Sequence, residues 1–120
     1  MASVLIVDDA AFMRLTIKQY LEPEGFTIAG EASTGIEAWQ MYAQVKPDIV
    51  ILDITMPDMN GIEALKRIKI IDPNAKIVIC SALGQHEMVA KAIEFGAQDF
   101  IVKPFQASRL VAAVRKVLNQ

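Results

Sequence analysis

The sequence predicts an α/β fold in which a five-stranded parallel sheet carries helices on both faces. Five short apolar runs alternate with five longer segments whose apolar residues recur at helical spacing. Runs 3–7, 49–52 and 77–80 are apolar throughout, which is typical of parallel strands buried on both faces. Runs 26–29 and 99–102 are more mixed, as strands at the flanks of a sheet often are. Parallel strands need long crossover connections, and the helical segments supply them.

Capping signals and apolar stripes mark the predicted helices. Gly25 is placed to end the first helix. Thr34 and Glu37 have the spacing of a capping box at the start of the second helix, and Asn60 can cap the third. The stripes of the first, fourth and fifth helices are Met13, Ile17, Tyr20 and Leu21; Met88, Val89, Ala92 and Ile93; and Leu110, Val114, Val117 and Leu118.

The composition is that of a single globular domain with mixed charges. The chain has 120 residues, a formal net charge of -2 and 53% hydrophobic residues. A basic face for nucleic acid is missing from the sequence, and so is an apolar run of roughly 20 residues that could cross a membrane. The single Cys80 cannot form an internal disulfide, which favours a reducing compartment. These features favour a cytoplasmic protein that binds neither nucleic acid nor a membrane. We also predict that it is a monomer.

Polar side chains follow four of the predicted strands at their carboxyl ends. Asp8 and Asp9 follow the first strand, Asp53 ends the third, Ser81 follows the fourth and Lys103 follows the fifth. Ligands of open α/β sheets bind at this edge, near a switch in strand order. We therefore expect these side chains to converge on one site.

The predicted site has the chemistry of a metal-assisted phosphoryl acceptor. Three carboxylates at one edge repel one another unless a cation lies between them, and Mg²⁺ prefers such oxygen ligands together with phosphate oxygens. A carboxylate beside the metal can act as a nucleophile and form an acyl phosphate. Lys103 can neutralise charge on the transferred group, and Ser81 can hydrogen-bond one of its oxygens.

Each of these residues also has a purely structural explanation. Asp8 and Asp9 could cap the first helix, Ser81 could be a turn residue, and Lys103 could be a solvated charge. Their joint occurrence at carboxyl ends of strands favours the functional interpretation.

Four separated motifs resemble the receiver domain of two-component response regulators. They are Val7-Asp8-Asp9, residues 52–61, Ser81-Ala82 and residues 102–105. The resemblance spans the chain and implies a flavodoxin-like (βα)5 fold with strand order 2-1-3-4-5. It also implies that residues 1–120 form a single receiver domain without an output domain.

The resemblance implies a phosphoacceptor and a metal site. Asp53 would accept the phosphoryl group. Asp8 and Asp9 would hold Mg²⁺ together with Asp53 and the backbone carbonyl of Thr55.

The resemblance further implies a contact to the phosphoryl group and a switch. Ser81 and Lys103 would contact the phosphoryl oxygens, and the Lys103–Pro104 bond would be cis. Ser81 and Phe100 would change position when Asp53 is phosphorylated. The predicted partner surface consists of Gly84, Gln85, Met88, Phe100 and Val102.

Within the family, residues 8–14 and 99–106 resemble stand-alone chemotaxis regulators. The predicted function is therefore to accept a phosphoryl group from a histidine kinase and to change affinity for a partner, the flagellar motor switch. Such a protein would catalyse only its own phosphorylation and dephosphorylation.

Three alternative functions stay open at this point. A stand-alone phosphorelay receiver would pass the group to a phosphotransfer protein. A haloacid-dehalogenase-type phosphatase would carry a second acid two residues after its nucleophile, where this chain has Thr55. An FMN binder would need a Ser/Thr-rich phosphate loop where this chain has Asp8 and Asp9.

Overall fold

Five parallel strands alternate with five helices along the residues that this computed structural model describes, 2–56 and 58–120. The strands are β1 (Ser3–Val7), β2 (Thr27–Ala32), β3 (Ile49–Asp53), β4 (Ile77–Ser81) and β5 (Asp99–Val102). The helices are α1 (Ala11–Leu21), α2 (Gly35–Val45), α3 (Gly61–Ile71), α4 (His86–Glu94) and α5 (Ala107–Leu118). This arrangement confirms the predicted fold class. Within the described ranges, no helix has the length and apolarity needed to cross a membrane.

The strands form one sheet in the order β2-β1-β3-β4-β5, as the resemblance implied. The order reverses at β1, since its neighbours β2 and β3 lie on opposite sides of it. Val7 pairs with Leu52, Asp53 pairs with Cys80, and Ser81 pairs with Val102. The carboxyl ends of four strands are therefore aligned, and the polar residues at those ends are brought together.

Alternate side chains of the central strands enter two separate cores. Leu5 and Val50 point to the face covered by α2, α3 and α4. Ile6 and Ile51 point to the opposite face, which α1 and α5 cover. Burial on both faces explains why the central strands are apolar throughout.

Two local expectations about the elements were wrong. Strand β2 begins at Thr27 and continues through Gly30 and Glu31 to Ala32, beyond the predicted run 26–29. It can include small and polar residues because it lies at the edge of the sheet. Ile93 falls on the predicted stripe of α4 but is 42% exposed. The buried face of this helix is narrower than the predicted stripe and is centred on Ala92.

Candidate functional site

Asp8, Asp9 and Asp53 form an acidic cluster at the carboxyl ends of β1 and β3. One carboxylate oxygen from each residue lies within 4.8 Å of the others. Asp8 and Asp53 are buried, whereas Asp9 is exposed. A compact set of carboxylate oxygens that is open to solvent on one side suits a hard divalent cation such as Mg²⁺. The residues present therefore fit the metal that the sequence predicted.

Three hydrogen bonds hold Asp8 in place. Its backbone N–H donates to the carbonyl of Ala32 at 3.1 Å, and its carboxylate accepts from the N–H of Ala10 at 2.9 Å. Arg14, in the first turns of α1, donates to the backbone carbonyl of Asp8 at 2.7 Å. Ala10, not Asp8 or Asp9, is the N-cap of α1, so helix capping does not account for the acidic pair.

Arg14 supports the site through contacts that its position in the sequence does not predict. Besides the carbonyl of Asp8 it contacts the carboxylate of Glu31 on β2 at 3.1 Å. Its guanidinium thereby joins the ends of β1 and β2. A single Arg on a predicted helix carries no signal for such a contact, which depends on the neighbouring strand.

Lys103 links the acids of two strands. Its ammonium lies 2.7 Å from Asp8 Oδ2 and 3.4 Å from Asp53 Oδ1. Burial would lower the pKa of Lys103, but the hydrogen bond to Asp8 and the charge of Asp53 outweigh it, and the pKa is raised. The backbone N–H of Lys103 donates to the carbonyl of Ser81 at 2.7 Å. The Lys103–Pro104 peptide bond is cis, as the resemblance implied.

Asp53 is an acid whose surroundings oppose its charge. Burial raises its pKa, the negative charge of Asp8 raises it further, and the opposing contacts with Lys103 and the Thr55 N–H do not cancel the rise. The Thr55 N–H donates to Asp53 Oδ1 at 3.3 Å. A cation added to the cluster would favour the charged carboxylate, which is the nucleophilic form.

Ser81 presents a buried hydroxyl at the end of β4. It is 1% exposed, and within 2–56 and 58–120 its Oγ has no hydrogen-bond partner. A buried polar atom without a partner is costly unless a ligand or water supplies one. Since Ser81 follows the residue that pairs with Asp53, a group bound to Asp53 could supply that partner.

Gly61 allows the chain to pass close to the backbone of Asp53. Its N–H donates to the carbonyl of Ile54 at 2.6 Å. A Cβ at this position would lie 2.5 Å from the carbonyl oxygen of Asp53 and 2.6 Å from the Cα of Ile54. In the sequence, Gly61 stands out only as the last residue of the motif 52–61. Apart from the motif, the position is unusual only because glycine, a poor helix former, stands at the first residue of a helix.

Four of the five predicted partner-surface residues line a common cavity of about 160 Å³. They are Gly84, Gln85, Phe100 and Val102. Ser81 lines the same cavity, so this surface is continuous with the site. Met88 lies apart from them, in a groove between α3 and α4.

Comparison with known proteins identifies the class to which this fold and site belong. A family model described as the response regulator receiver domain matches residues 4–115. The chain therefore belongs to the response regulator receiver family.

Its relatives within that family include chemotaxis proteins. The chain is 61% identical over 114 residues to the chemotaxis protein CheY of Thermotoga maritima, with 95% of each chain covered. It is 56% identical over 116 residues to CheY of Bacillus subtilis, with 97% of each covered. The solved CheX-CheY-BeF3-Mg+2 complex from Borrelia burgdorferi matches with a TM-score of 0.92 and 41% identity, covering 97% of this chain and 88% of that one.

These similarities support the function predicted from the sequence, that of a chemotaxis response regulator. Phosphorylation by a kinase is general in the family. The family uses Mg²⁺ at an acidic pocket, and the cluster of Asp8, Asp9 and Asp53 could bind such a metal.

Proposed function

We propose that Asp53 accepts a phosphoryl group from a histidine kinase with the help of Mg²⁺ held beside it. The observation that carries this proposal is the position of the Lys103 ammonium, 2.7 Å from Asp8 and 3.4 Å from Asp53. One cation among three carboxylates leaves the cluster negatively charged. It can therefore bind a divalent ion and then receive an anionic group.

The residues of the site have different roles in the phosphoryl transfer. Mg²⁺, when bound by Asp8, Asp9, Asp53 and the Thr55 carbonyl, supplies positive charge that offsets the phosphoryl oxygens. A carboxylate oxygen of Asp53 forms the new P–O bond. The P–N bond of the donor phosphohistidine breaks, and its electron pair stays on the histidine nitrogen.

Lys103 and Ser81 complete the contacts to the transferred group. The Lys103 ammonium is close enough to Asp53 to bind one phosphoryl oxygen. The Ser81 hydroxyl, which lacks a partner among the described residues, donates to another. Both contacts exist only after transfer, so they favour the phosphorylated state over the resting state.

Movement of Ser81 provides a route from Asp53 to the partner surface. When the hydroxyl turns toward the phosphoryl group, it leaves space beside β4. The Phe100 ring is 37% exposed at the cavity that Ser81 also lines, and it can turn into that space. The surface around Gln85 and Val102 then changes shape, and a flagellar motor-switch protein binds the changed surface with higher affinity.

The partner is tested by titrating a motor-switch peptide against the protein with and without Mg²⁺ and beryllofluoride, a phosphoryl mimic. We expect tighter binding with the mimic, and no such gain in the control variant Asp53→Asn. Equal affinity in both states would contradict the switch. Binding to a phosphotransfer protein but not to the peptide would favour the phosphorelay alternative.

A turnover assay separates this function from that of a phosphatase. Thr55 occupies the position at which a haloacid-dehalogenase-type enzyme carries its second acid, and a threonine cannot act as a carboxyl general acid. We expect no sustained hydrolysis of phosphate esters. We also propose that residues 1–120 act as a single receiver domain, which the family match over residues 4–115 supports.

A further inference from the structure

The side chain of Gln85 joins two loops next to Asp53 and Ser81. Its Oε1 accepts a hydrogen bond from the Ala82 N–H at 2.7 Å, and its Nε2 donates to Thr55 Oγ1 at 2.9 Å. Ala82 directly follows Ser81, and Thr55 stands two residues after Asp53. The carboxamide therefore connects the loop after β3 to the loop after β4.

The chemistry of the two contacts fixes the orientation of the carboxamide. A backbone N–H can only donate, so the atom that faces Ala82 is the oxygen, and the NH₂ group is left for the Thr55 hydroxyl. Glutamine is not among the residues preferred at a helix N-cap, yet Gln85 is the N-cap of α4. Its side chain bonds to the two loops instead of capping the helix. Its backbone carbonyl accepts a hydrogen bond from the N–H of Val89 at 3.0 Å.

We infer that this bridge of Thr55, Gln85 and Ala82, here called the Gln85 clasp, holds the site in its resting conformation and opens when Asp53 is phosphorylated. The inference rests on the proposed function, in which the phosphoryl group draws Ser81 toward it. If the backbone at Ser81 shifts together with the hydroxyl, the adjoining Ala82 N–H, which the clasp holds, is displaced as well. Gln85 is thus a positioning residue that acts through Ser81 and does not touch the reacting atoms.

The clasp predicts the direction in which its loss changes the affinity for a phosphoryl mimic. Removing a restraint on the resting state shifts the population toward the state that binds the mimic. Loss of one or two hydrogen bonds of ordinary strength should tighten beryllofluoride binding by about three- to tenfold. The variant is Gln85→Ala, measured at saturating Mg²⁺, and the matched control is Gln44→Ala on the exposed side of α2.

A spectroscopic signature tests the clasp without any phosphoryl mimic. In the resting protein, Gln85→Ala should move the Ala82 amide proton signal upfield, because its short hydrogen bond is lost. Thr55→Val, which removes the other partner, should tighten beryllofluoride binding in the wild-type background. It should add little in the Gln85→Ala background, since the two residues act through one bridge.

The outcomes distinguish the clasp from the function on which it rests. An unmoved Ala82 signal, or unchanged or weaker beryllofluoride affinity in Gln85→Ala, would overturn the clasp. Failure of the wild-type protein to bind beryllofluoride, or equal binding by Asp53→Asn, would overturn the proposed function. The Ala82 signal of the resting protein would still report whether the bridge exists.

Discussion

Single residues of the acidic cluster differ in how firmly the structure holds them. Asp8 is buried and is tied to Ala10 and Lys103. Asp9 is exposed and lies at the open side of the cluster. A substitution at Asp8 therefore disturbs both the fold and the site, whereas one at Asp9 tests the metal site more selectively.

We expect Asp9→Ala to weaken Mg²⁺ binding and to leave folding stability nearly unchanged. The loss should be about tenfold to a hundredfold, the scale on which one nearby charge shifts another equilibrium. Isothermal titration with Mg²⁺ gives the affinity, and urea unfolding gives the stability. The control is Glu22→Ala, an exposed carboxylate after the end of α1 at the opposite edge of the sheet. Equal losses in both variants would argue against a metal site at the cluster.

The close approach of Gly61 to the backbone of Asp53 can be tested by substitution. Gly61→Ala should destabilise the protein by about 1–3 kcal/mol or more, because the added methyl group meets rigid backbone at Asp53 and Ile54. Gly30→Ala is the matched control, since its methyl group would meet the flexible side chain of Met41 at 3.2 Å. Urea unfolding should separate the two variants clearly. A Gly61→Ala protein as stable as Gly30→Ala would show that the close approach is not needed.

At the scale of elements, the loop after β3 is fastened to the start of α2. The Asp58 carboxylate accepts from the N–H groups of Gly35 and Ile36 at 2.8 and 3.0 Å. Met59 packs where a side chain on Gly35 would lie. The amino end of α2, which carries positive partial charge, thus anchors the loop that contains Thr55.

The anchor should depend on pH in a defined direction. The N–H groups of Gly35 and Ile36 lower the pKa of Asp58 from its ordinary value of 3.8. A carboxyl group with a lowered pKa in the folded state contributes stability above its unfolded pKa, and that stability is lost as the pH falls through the folded pKa. The difference in stability between wild type and Asp58→Asn should therefore be present at neutral pH and shrink below about pH 4.

Urea unfolding across this pH range measures the difference. Glu22→Gln, which alters an exposed carboxylate elsewhere, controls for the change in net charge. A stability difference for Asp58→Asn that stays constant down to the acid limit would contradict the anchor. So would a difference that grows as the pH falls.

At the scale of the whole molecule, the features predicted from sequence are those that depend on local pattern. The uninterrupted apolar runs of β3 and β4 identified strands covered on both faces, and the polar residues at strand ends include the acids and the lysine that lie close together in the structure. The edge strand β2 was placed imperfectly because burial constrains only part of its sequence.

The supporting contacts could not be predicted in the same way. Arg14 contacts Glu31 on β2, Asp58 accepts hydrogen bonds from the first N–H groups of α2, and Gln85 contacts Thr55. Each contact joins loops or elements that are distant in the chain. Such pairs are set by which elements the topology brings together, and no spacing in one sequence encodes them.

The most direct test of the account maps the phosphoryl group itself. The protein is incubated with a small acyl phosphate and Mg²⁺, the aspartyl phosphate is trapped by borohydride reduction, and the modified residue is identified by mass spectrometry. We expect modification at Asp53, none in excess chelator, and none in Asp53→Asn. Labelling of Asp53→Asn at the wild-type rate, or undiminished labelling in chelator, would contradict a metal-dependent phosphoacceptor at Asp53.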